Sequence, residues 1–563
     1  MVIDPHNYTS GRWLRGDSAE RKARYIEFDF GALCRKVLEV SPEASTIVNY
    51  QKVEGGFNRV FIFELDNTKR VVARLPFKLA GPAQLTTGSE IATIKYLQAN
   101  TTIPIPRILD WSYDAASTEN TIGSEYIIME HAPGIQLHKR WETMPGDQRV
   151  TCIDAIYRKM KEVVDLQFPA FGSLYFRNSR LCPDNNHALD EEFCIGSHCG
   201  TRYWNCEAGG NRSPGTMSLN RGPWHNLDEY SEGLVDAGLS QLPPVNSDIE
   251  SKPSYYGSVE THNVLLRNTR SLLKRMSGDP RIKACATPLL FHPDLHKRNI
   301  FVSEDDPSII TGIIDWQAAS IEPAFWYADD VPDFAMGNEI CNKAFEVCTE
   351  FLTPTFSTPR LKDQNLFRPY RYSYRTWKDG AIALQHELIE TSRHWEKLGF
   401  ADQCPFPLPP ATALATHQKE YRLFEAAQNL RCGLSDLLNT ASDGWVPVQE
   451  WETTQAAHKE LLDGMLQVVL NNEDADPDEP VKDEATLSLS KPLEARHHCH
   501  NFTADHKSLD TAYIPKNQPF GLCHGMPSYM ADEVIGGNSL QHLMSDDRCD
   551  IVTGSDSSLY LVA

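Results

Sequence analysis

Two neighbouring stretches decide the fold: Leu289-Leu-Phe-His-Pro-Asp-Leu-His-Lys-Arg-Asn-Ile-Phe-Val302, and Ile309-Ile-Thr-Gly-Ile-Ile-Asp-Trp316. Their short apolar runs are typical of β-strands. The polar loop between the first two runs presents Asp294 and, five residues later, Asn299. Asp315 ends the last run, sixteen residues after Asn299. We therefore expect hairpins that hold two carboxylates and one amide close together.

These oxygen-bearing side chains suit a site for magnesium and a nucleotide. Mg²⁺ prefers hard oxygen ligands, usually one or two carboxylates together with phosphates and water. Asn299 and Asp315 are the candidate ligands. Asp294 would face an attacking hydroxyl group and accept its proton. We expect His292 to brace the backbone of the loop.

The spacing resembles that of the aminoglycoside phosphotransferase family, also called choline-kinase-like kinases. Their pattern is His-x-Asp, four residues, Asn, and then Ile-Asp-Trp or Ile-Asp-Phe, which His292, Asp294, Asn299 and Asp315 match position for position. The resemblance implies an α+β, bilobal protein-kinase-like fold with ATP and Mg²⁺ between the lobes. It also implies transfer of the γ-phosphoryl group to a hydroxyl group of a small molecule. A protein kinase is a weaker alternative, because Asp315 is followed by Trp-Gln instead of Phe-Gly and the chain lacks an activation segment that runs from Asp-Phe-Gly to Ala-Pro-Glu.

A glycine-rich turn is predicted between the first two strands of the small lobe. Strand patterns cover residues 46–53 and 60–65, and Gly55-Gly-Phe-Asn58 lies between them. Such a turn can bring backbone N–H groups close to phosphates. Gly55, Gly56 and Asn58 are therefore candidate nucleotide contacts, and a plain hairpin turn is the alternative.

Arg74 stands in the third predicted strand, where kinases place a lysine that holds phosphates and pairs with a helix glutamate. Glu90, in a helix predicted over 87–99, fits that glutamate. Arginine departs from the general kinase pattern, but its guanidinium keeps the charge and can bind phosphate by a fork. The alternative is that Arg74 is an ordinary surface residue of the strand.

The stretch Glu125-Tyr-Ile-Ile-Met-Glu-His-Ala-Pro-Gly134 resembles the hinge of the family. The resemblance implies that backbone groups of Glu130 and Ala132 bind the adenine edge. A plain buried strand and turn is the alternative. After this point the pattern becomes mainly helical, with the predicted helices at about 150–166, 257–277, 376–398, 411–439 and 449–471.

Changes in composition indicate the domain organisation. We predict an N-terminal extension over 1–24, a small lobe over 25–133, and a large lobe over 134–471 with a loop-rich insertion at 178–250. An acidic linker and a poorly ordered tail are predicted over 472–563, because seven acids and two prolines cluster near its start.

Composition excludes several classes of protein. With 54 basic and 76 acidic residues, the net charge of −22 argues against general nucleic-acid binding. No apolar run reaches the length of a membrane span, and the N-terminus has neither a secretory pattern nor a clear transit peptide. We expect an intracellular protein that binds a nucleotide and a small hydroxyl acceptor. A cationic acceptor is plausible because the chain is acidic.

Further strings resemble a fungal group of this superfamily, which includes proteins named for altered inheritance of mitochondria. They are YTSGRWL, ARYIEFDF, VARLPF, FGSLYF, RGPW and IIDWQAASIEPAF. This resemblance implies a mitochondrial association. A second hypothesis is an inactive pseudokinase that acts as a binding scaffold. Zinc binding by the cysteines and histidines of the insertion is a weak alternative, since they lack a Cys-x-x-Cys pair.

Overall fold

The computed structural model describes residues 4–182, 185–204, 220–244 and 252–471. Its first part consists of β1 (Gly11–Trp13), α1 (Asp17–Ala23), α2 (Phe30–Glu39), β2 (Ile47–Glu54), β3 (Asn58–Leu65), β4 (Arg70–Pro76), α3 (Leu85–Asn100), β5 (Ile108–Ser112) and β6 (Tyr126–Glu130). Among the described residues, β2 to β6 form an antiparallel sheet in the order β2-β3-β4-β6-β5. The predicted hairpins and the helix after them are therefore confirmed.

The two faces of this sheet are buried against different helices. Phe61 and Phe63 of β3 join Ile128 of β6 in a core that includes α2. The neighbouring Ile127 belongs to another core, which it shares with α3 and the large lobe. This division follows from the alternation of side chains along a strand.

Helix α3 is buried around almost its whole circumference. Every residue from Thr86 to Ile94 is buried. On the side of the large lobe, Tyr96 packs edge-on against Phe193, with ring centroids 5.2 Å apart. Leu181 lies so close to Gly88 that a β-carbon added there would be 2.5 Å from its Cδ1. The helix that carries Glu90 is therefore held by both lobes.

The large lobe begins after residues 131–134 and is mainly helical. Its strands are β7 (Ile135–Gln136), β8 (Ser173–Phe176), β9 (His187–Ala188), β10 (Phe193–Gly196), β11 (Pro288–Leu290), β12 (Ile300–Val302), β13 (Ile310–Ile313), β14 (Ile321–Pro323) and β15 (Trp445–Pro447). They pair in short sheets, β8-β10-β9, β11-β14, β13-β12-β7 and β1-β15. Together with the sheet and α3 of the small lobe, this part forms an α+β, bilobal kinase-like fold.

The helices of the large lobe surround one continuous apolar core. They are α4 (Leu137–Trp141), α5 (Gly146–Val164), α6 (Leu227–Ser240), α7 (Val259–Ser277), α8 (Pro280–Ala284), α9 (Glu339–Leu352), α10 (Pro354–Arg360), α11 (Arg368–Tyr372), α12 (Thr376–Asp379), α13 (Ala381–Arg393), α14 (Ala411–Leu438) and α15 (Trp451–Asn471). Trp316, which follows the predicted metal ligand, is fully buried in this core. The core therefore fixes the hairpins on which the candidate site stands.

The segment 178–250 is more regular than the loop-rich insertion that the sequence predicts. Its described part contains β9, β10 and the buried helix α6. Two glycines of α6 look like helix breakers in the sequence, but they allow close packing. A β-carbon at Gly233 would be 2.5 Å from the ring of Trp224, and one at Gly238 would be 2.5 Å from the carbonyl oxygen of Ser373.

The N-terminal segment packs against β15, near the end of the described chain, and against the sheet of the small lobe. β1 pairs with β15, so that Gly11 lies opposite Pro447. The buried carboxylate of Glu54 accepts hydrogen bonds from the backbone N–H groups of Thr9 and Ser10, at 2.7 and 3.1 Å. These contacts tie the residues before α1 to the sheet.

The linker and tail predicted over 472–563 lie outside the described residues. Within the described ranges, every helix is too short or too polar to cross a membrane.

Candidate active site

His292 joins the two loops that carry the predicted catalytic and metal-binding residues. Its Nδ1 accepts a hydrogen bond from the N–H of Asp294 at 3.1 Å, and its Nε2 donates to the carbonyl oxygen of Ile314 at 2.8 Å. The N–H of Ile314 donates in turn to the carbonyl oxygen of Asn299 at 2.9 Å. Burial lowers the pKa of His292, which favours the neutral ring that this bonding requires. His292 therefore braces the loop backbone, as predicted.

Donor groups surround the carboxylate of Asp294, yet the side chain remains 40% exposed. The Nδ2 of Asn299 donates to its Oδ2 at 3.0 Å and to its backbone oxygen at 2.8 Å. The Nε2 of His296 lies 2.9 Å from its Oδ1. Burial raises the pKa of Asp294, but His296 and Arg298 lower it more, so that it lies well below its usual range. Asp294 is therefore an anion at neutral pH.

His296 lies between two carboxylates. Its Nε2 contacts Asp294, and its Nδ1 is 3.6 Å from the Oδ1 of Asp333. Burial lowers the pKa of His296, but the two carboxylates raise it to about 9. Sequence analysis missed both His296 and Asp333. The second histidine of His-Pro-Asp-Leu-His was a usable signal, whereas Asp333 is distant in sequence and stands in no recognised pattern.

Asp315 has a backbone conformation that residues other than glycine rarely adopt. Its φ angle is +68°, in the left-handed region. Such a conformation costs about 1–3 kcal/mol and persists only where the surroundings enforce it. Here both backbone groups of the preceding Ile314 are held by hydrogen bonds. The side chain of Asp315, 40% exposed, accepts a hydrogen bond from Nη1 of Arg74 at 3.0 Å.

Arg74 connects the sheet of the small lobe to α3 and to the second hairpin. Its Nη2 forms an ion pair with Glu90, while its Nη1 binds Asp315. Burial lowers the pKa of Arg74, but the two carboxylates raise it above its ordinary value. Burial raises the pKa of Glu90 against the opposing effect of Arg74. The planar fork of arginine thus joins carboxylates from two lobes.

Asn58 forms a second link between the lobes. Its Nδ2 donates to the Oε1 of Gln317 at 2.8 Å, and the Nε2 of Gln317 donates back to the Oδ1 of Asn58 at 3.1 Å. Gln317 stands two residues after Asp315. Sequence analysis missed Gln317, because a partner 259 residues away leaves no local signal.

Gly55 and Gly56 form the turn between β2 and β3. The N–H of Gly55 donates to the carbonyl oxygen of Asn58 at 3.0 Å. A β-carbon added at Gly55 would have no neighbouring atom within 4 Å. Packing within the described chain therefore does not require glycine at this position, and the turn has room for a ligand beside it.

The predicted adenine-binding residues lie at and just after the end of β6. The N–H of Glu130 donates to the carbonyl oxygen of Arg107 at 3.0 Å, so the sheet already uses that donor. The carboxylate of Glu130 accepts from the Nη2 of Arg107 at 2.8 Å. Ala132 is buried, and its carbonyl oxygen accepts a hydrogen bond from the Nδ1 of His131 at 2.7 Å.

The segment that connects the two lobes, residues 131–134, is attached at its end to the large lobe. The hydroxyl group of Thr311 donates to the carbonyl oxygen of Pro133 at 2.7 Å. Gly134 has a φ angle of +85°, and a β-carbon there would collide with the carbonyl oxygen of Val302. Both its backbone conformation and the close approach of β12 therefore require glycine.

The structure brings five of the ten predicted site residues into two connected groups. Glu90, Arg74 and Asp315 form a continuous ion-pair chain, and Asp294 contacts Asn299 directly. The backbone bond between Asn299 and Ile314 places the second group next to Asp315. Asn58 reaches the loop after Asp315 through its hydrogen bonds to Gln317. Within the described residues, the other predicted contacts are not hydrogen-bonded to either group; they are Gly55, Gly56, Glu130 and Ala132.

Three residues of the insertion form a sealed polar cluster with Glu322 of β14. The sealed cluster consists of His198, Arg202, Tyr230 and Glu322. The Oε1 of Glu322 binds the Nε2 of His198 at 2.7 Å and pairs with Arg202, while its Oε2 accepts from the hydroxyl group of Tyr230 at 2.7 Å. In the described parts of the chain, no group of three or more His, Cys, Asp or Glu side chains could hold a metal ion. The zinc alternative is therefore not supported there.

No protein-family model matches the chain. The chain is similar in sequence to proteins named Altered inheritance of mitochondria protein 9, mitochondrial. The protein of that name from Candida albicans is 22% identical over 581 residues, covering 84% of this chain and 89% of its own length. The one from Yarrowia lipolytica is 26% identical over 356 residues, 56% of this chain.

A third relative is a subtelomeric hrmA-associated cluster protein of Aspergillus fumigatus, which is 32% identical over 308 residues, 49% of this chain. The match spans 58% of the length of the Aspergillus and Yarrowia relatives. Among solved structures, a thermostable mutant of aminoglycoside phosphotransferase APH(4)-Ia aligns with 65% of this chain and 96% of its own, at 13% identity and a TM-score of 0.33. A macrolide 2'-phosphotransferase type I aligns with 64% of this chain and 97% of its own, at 12% identity and a TM-score of 0.30.

Proposed function

We propose that the chain is a phosphotransferase that uses ATP and Mg²⁺ and moves the γ-phosphoryl group to a hydroxyl group of a small molecule. The observation that carries this proposal is the ion-pair chain from Glu90 through Arg74 to Asp315, next to the paired Asp294 and Asn299. Phosphoryl transfer needs positive charge for the phosphates, oxygen ligands for a metal and a group that orients the hydroxyl. Arg74, the oxygen atoms of Asn299 and Asp315, and the carboxylate of Asp294 would supply these three kinds of group.

The side chains of Asn299 and Asp315, one from each group, fit Mg²⁺. Asn299 uses its Nδ2 for Asp294, so its Oδ1 is the amide atom that remains for a cation. Asp315 supplies a partly exposed carboxylate. Both are hard oxygen donors of the kind that Mg²⁺ prefers. When bound, Mg²⁺ would neutralise negative charge on the phosphates during transfer.

Arg74 supplies a fixed positive charge for the nucleotide. Glu90 holds its Nη2, and its Nη1 faces the partly exposed carboxylate of Asp315, where it would bind phosphate oxygens. The turn formed by Gly55 and Gly56 would cover those phosphates, together with Asn58. The proposed adenine contact uses backbone groups of Glu130 and Ala132 other than the Glu130 N–H and the Ala132 carbonyl oxygen, which bind Arg107 and His131.

Asp294 would orient the acceptor hydroxyl group and accept its proton. It is anionic at neutral pH, because His296 and Arg298 lower its pKa more than burial raises it. An anion of this kind is a weak base, but a loose transition state asks chiefly for positioning and charge stabilisation. Asn299 and His296 fix the carboxylate in one orientation, which suits that role.

The substitution Asp294→Asn tests the proposal. It keeps the shape of the side chain and removes the charge, so we expect turnover to fall by about 10²–10⁴-fold while Mg–ATP binding changes little. Calorimetric titration with Mg–ATP and assays of ATP consumption with a panel of hydroxyl metabolites would measure the two quantities. Asp305→Asn is the matched control, since Asp305 is exposed on a neighbouring hairpin. Full turnover in Asp294→Asn would reject the assignment.

A binding scaffold without catalysis is the second candidate. It is favoured by Arg74 in place of the usual lysine and by the direct contact of Arg74 with Asp315, a proposed metal ligand. A scaffold would show a thermal shift with Mg–ATP, or none, and no phosphorylated product from a cell extract. ATP-dependent appearance of a phosphorylated small molecule would exclude it and would also identify the acceptor.

We also propose an association with mitochondria. The support is the word mitochondrial in the names of the Candida and Yarrowia relatives. Subcellular fractionation of the tagged full chain, with a matrix and a cytosolic marker, tests this point. Recovery with the cytosolic marker alone would contradict it.

A further inference from the structure

Two cysteines of the insertion lie in direct contact. The Sγ atoms of Cys182 and Cys194 are 3.1 Å apart and twelve residues separate them in the chain. Cys194 is buried in β10, where it pairs with Tyr175 of β8, and Cys182 is partly exposed. A disulfide requires the two sulfur atoms to come only about 1 Å closer.

The segment before Cys182, residues 177–182, forms a strap between β10 and the small lobe. Leu181 packs against Gly88 of α3. The hydroxyl groups of Ser179 and Tyr113 are 3.3 Å apart, and Arg180 forms an ion pair with Asp114. The strap therefore touches α3 two residues before Glu90, and it reaches the loop that follows β5.

We propose that Cys182 and Cys194 are a reversible oxidation site, at which a disulfide fastens the strap to β10 and thereby holds α3 more tightly. The chemistry of this pair is independent of the proposed phosphoryl transfer. The effect of the disulfide on the small lobe is measured on α3 itself. This effect can therefore be tested whether or not the chain is an enzyme.

The reaction balances with hydrogen peroxide as the oxidant. The thiolate of Cys182 attacks one peroxide oxygen, an S–O bond forms, the O–O bond breaks, and the departing hydroxide takes up the thiol proton as water. The sulfur of Cys194 then attacks the sulfur of Cys182 and expels the second oxygen as water. Two thiols and one peroxide thus give one disulfide and two waters.

The order of these steps follows from the different surroundings of Cys182 and Cys194. Burial and the contact with Cys182 raise the pKa of Cys194 to about 12, so Cys194 remains a thiol until its partner has been oxidised. Cys182 is the more exposed of the two and meets the peroxide first. Reduction by dithiothreitol would restore both thiols.

Peptide mapping tests the bond. The folded full chain is treated with hydrogen peroxide, its remaining thiols are alkylated, and it is digested without reduction. We expect a cross-linked peptide that contains both Cys182 and Cys194, lost on reduction and absent from Cys182→Ser. Cys34→Ser is the matched control and should still form the link, because Cys34 lies on α2 and is also partly exposed. Separate alkylation of Cys182 and Cys194 after peroxide treatment would overturn the proposal.

Hydrogen exchange tests the effect on α3. Oxidation should slow amide exchange over residues 86–94 by about three- to tenfold, while α14, remote from the strap, serves as the internal reference. Cys182→Ser should show no such change with peroxide. Equal exchange of α3 in the oxidised and reduced wild-type chain would overturn the coupling of the strap to this helix.

Discussion

Two buried arginines hold carboxylates in contrasting ways. Arg202, in the sealed cluster, pairs with Glu322, which is only 2% exposed and also binds His198 and Tyr230. Arg74, in the cleft, pairs with the buried Glu90 but also with Asp315, which is 40% exposed. The residue types are similar, but only the cleft leaves one carboxylate accessible to a ligand.

The difference separates a structural role from the proposed binding role. Burial raises the pKa of Glu322, but Arg202 and His198 lower it by more, so that it lies well below its usual range. Its carboxylate has partners on both oxygens and lies where β14 meets the insertion. The sealed cluster therefore stabilises the large lobe, whereas the partly exposed end of the Arg74 chain is the part suited to chemistry.

The largest expected effect is that of Asp315→Asn on turnover. The change removes one negative charge from the proposed metal site, so we expect kcat to fall by about 10³-fold, roughly 4 kcal/mol in the activation free energy. The free energy of unfolding should change by less than about 1 kcal/mol, since a partly exposed ion pair contributes little. Steady-state kinetics and urea unfolding measure both values. A large loss of stability would erase the contrast with the sealed cluster.

For Glu322→Gln, we expect a large loss in the free energy of unfolding. This change leaves Arg202 buried without a neutralising charge, so the free energy of unfolding should fall by about 3–5 kcal/mol. Chemical denaturation measures it. The matched control is Asp154→Asn, which removes the exposed partner of Arg158 and should cost less than about 0.5 kcal/mol. Similar values for the two variants would show that the sealed cluster is not a major source of stability.

The stabilising contributions of the candidate site and of the sealed cluster should also be lost at opposite ends of the pH scale. The pKa of His296 is raised to about 9, so its stabilising contribution is complete below pH 6.5 and is lost as the pH rises through 9. We expect this loss to be on the order of 1–3 kcal/mol. The pKa of Glu322 is lowered, so its contribution is present above its unfolded value near 4.5 and is lost as the pH falls.

Denaturation curves between about pH 2 and 10 measure both contributions, because that of Glu322 is lost only below about pH 4.5. His296→Gln should remove the alkaline part of the profile, and Glu322→Gln should reduce the acid part. If His296→Gln keeps the alkaline decline, then His296 is not held as a cation between Asp294 and Asp333.

The smallest expected effect belongs to the amide pair between the lobes. Asn58→Ala removes two hydrogen bonds to Gln317, and we expect a loss of about 0.5–1.5 kcal/mol in the free energy of unfolding. Gln317→Ala should cost a similar amount, and the double variant should cost less than the sum. Strict additivity in urea unfolding would mean that the two amides do not stabilise each other.

The sequence predicted the strands around the glycine turn, the helix that carries Glu90 and the hairpins that carry Asp294 and Asp315. These features depend on local alternation of apolar residues and on short spacings, which one sequence displays directly. The pairing of Arg74 with Glu90 was also predictable, because the resemblance supplied the partner.

The contacts that sequence analysis missed join residues that are remote in the chain. Gln317 lies 259 residues from Asn58, and Glu322 lies 120 residues from Arg202. No periodicity encodes such partners. Helix α6 was missed for a different reason, since Gly233 and Gly238 look like breaks in the sequence but serve packing in the structure.

The attachment of Gly134 has a mechanical consequence. Because β12 crowds this residue and Thr311 binds the carbonyl oxygen of Pro133, the connecting segment moves as one body with the hairpins behind it. A swing of the small lobe would therefore bend the chain at the last residues of β6, near Glu130 and His131, and would also disturb the packing of α3 on the large lobe. Widening the cleft then strains the Arg74–Asp315 and Asn58–Gln317 bonds together, so both bridges should open in a single step.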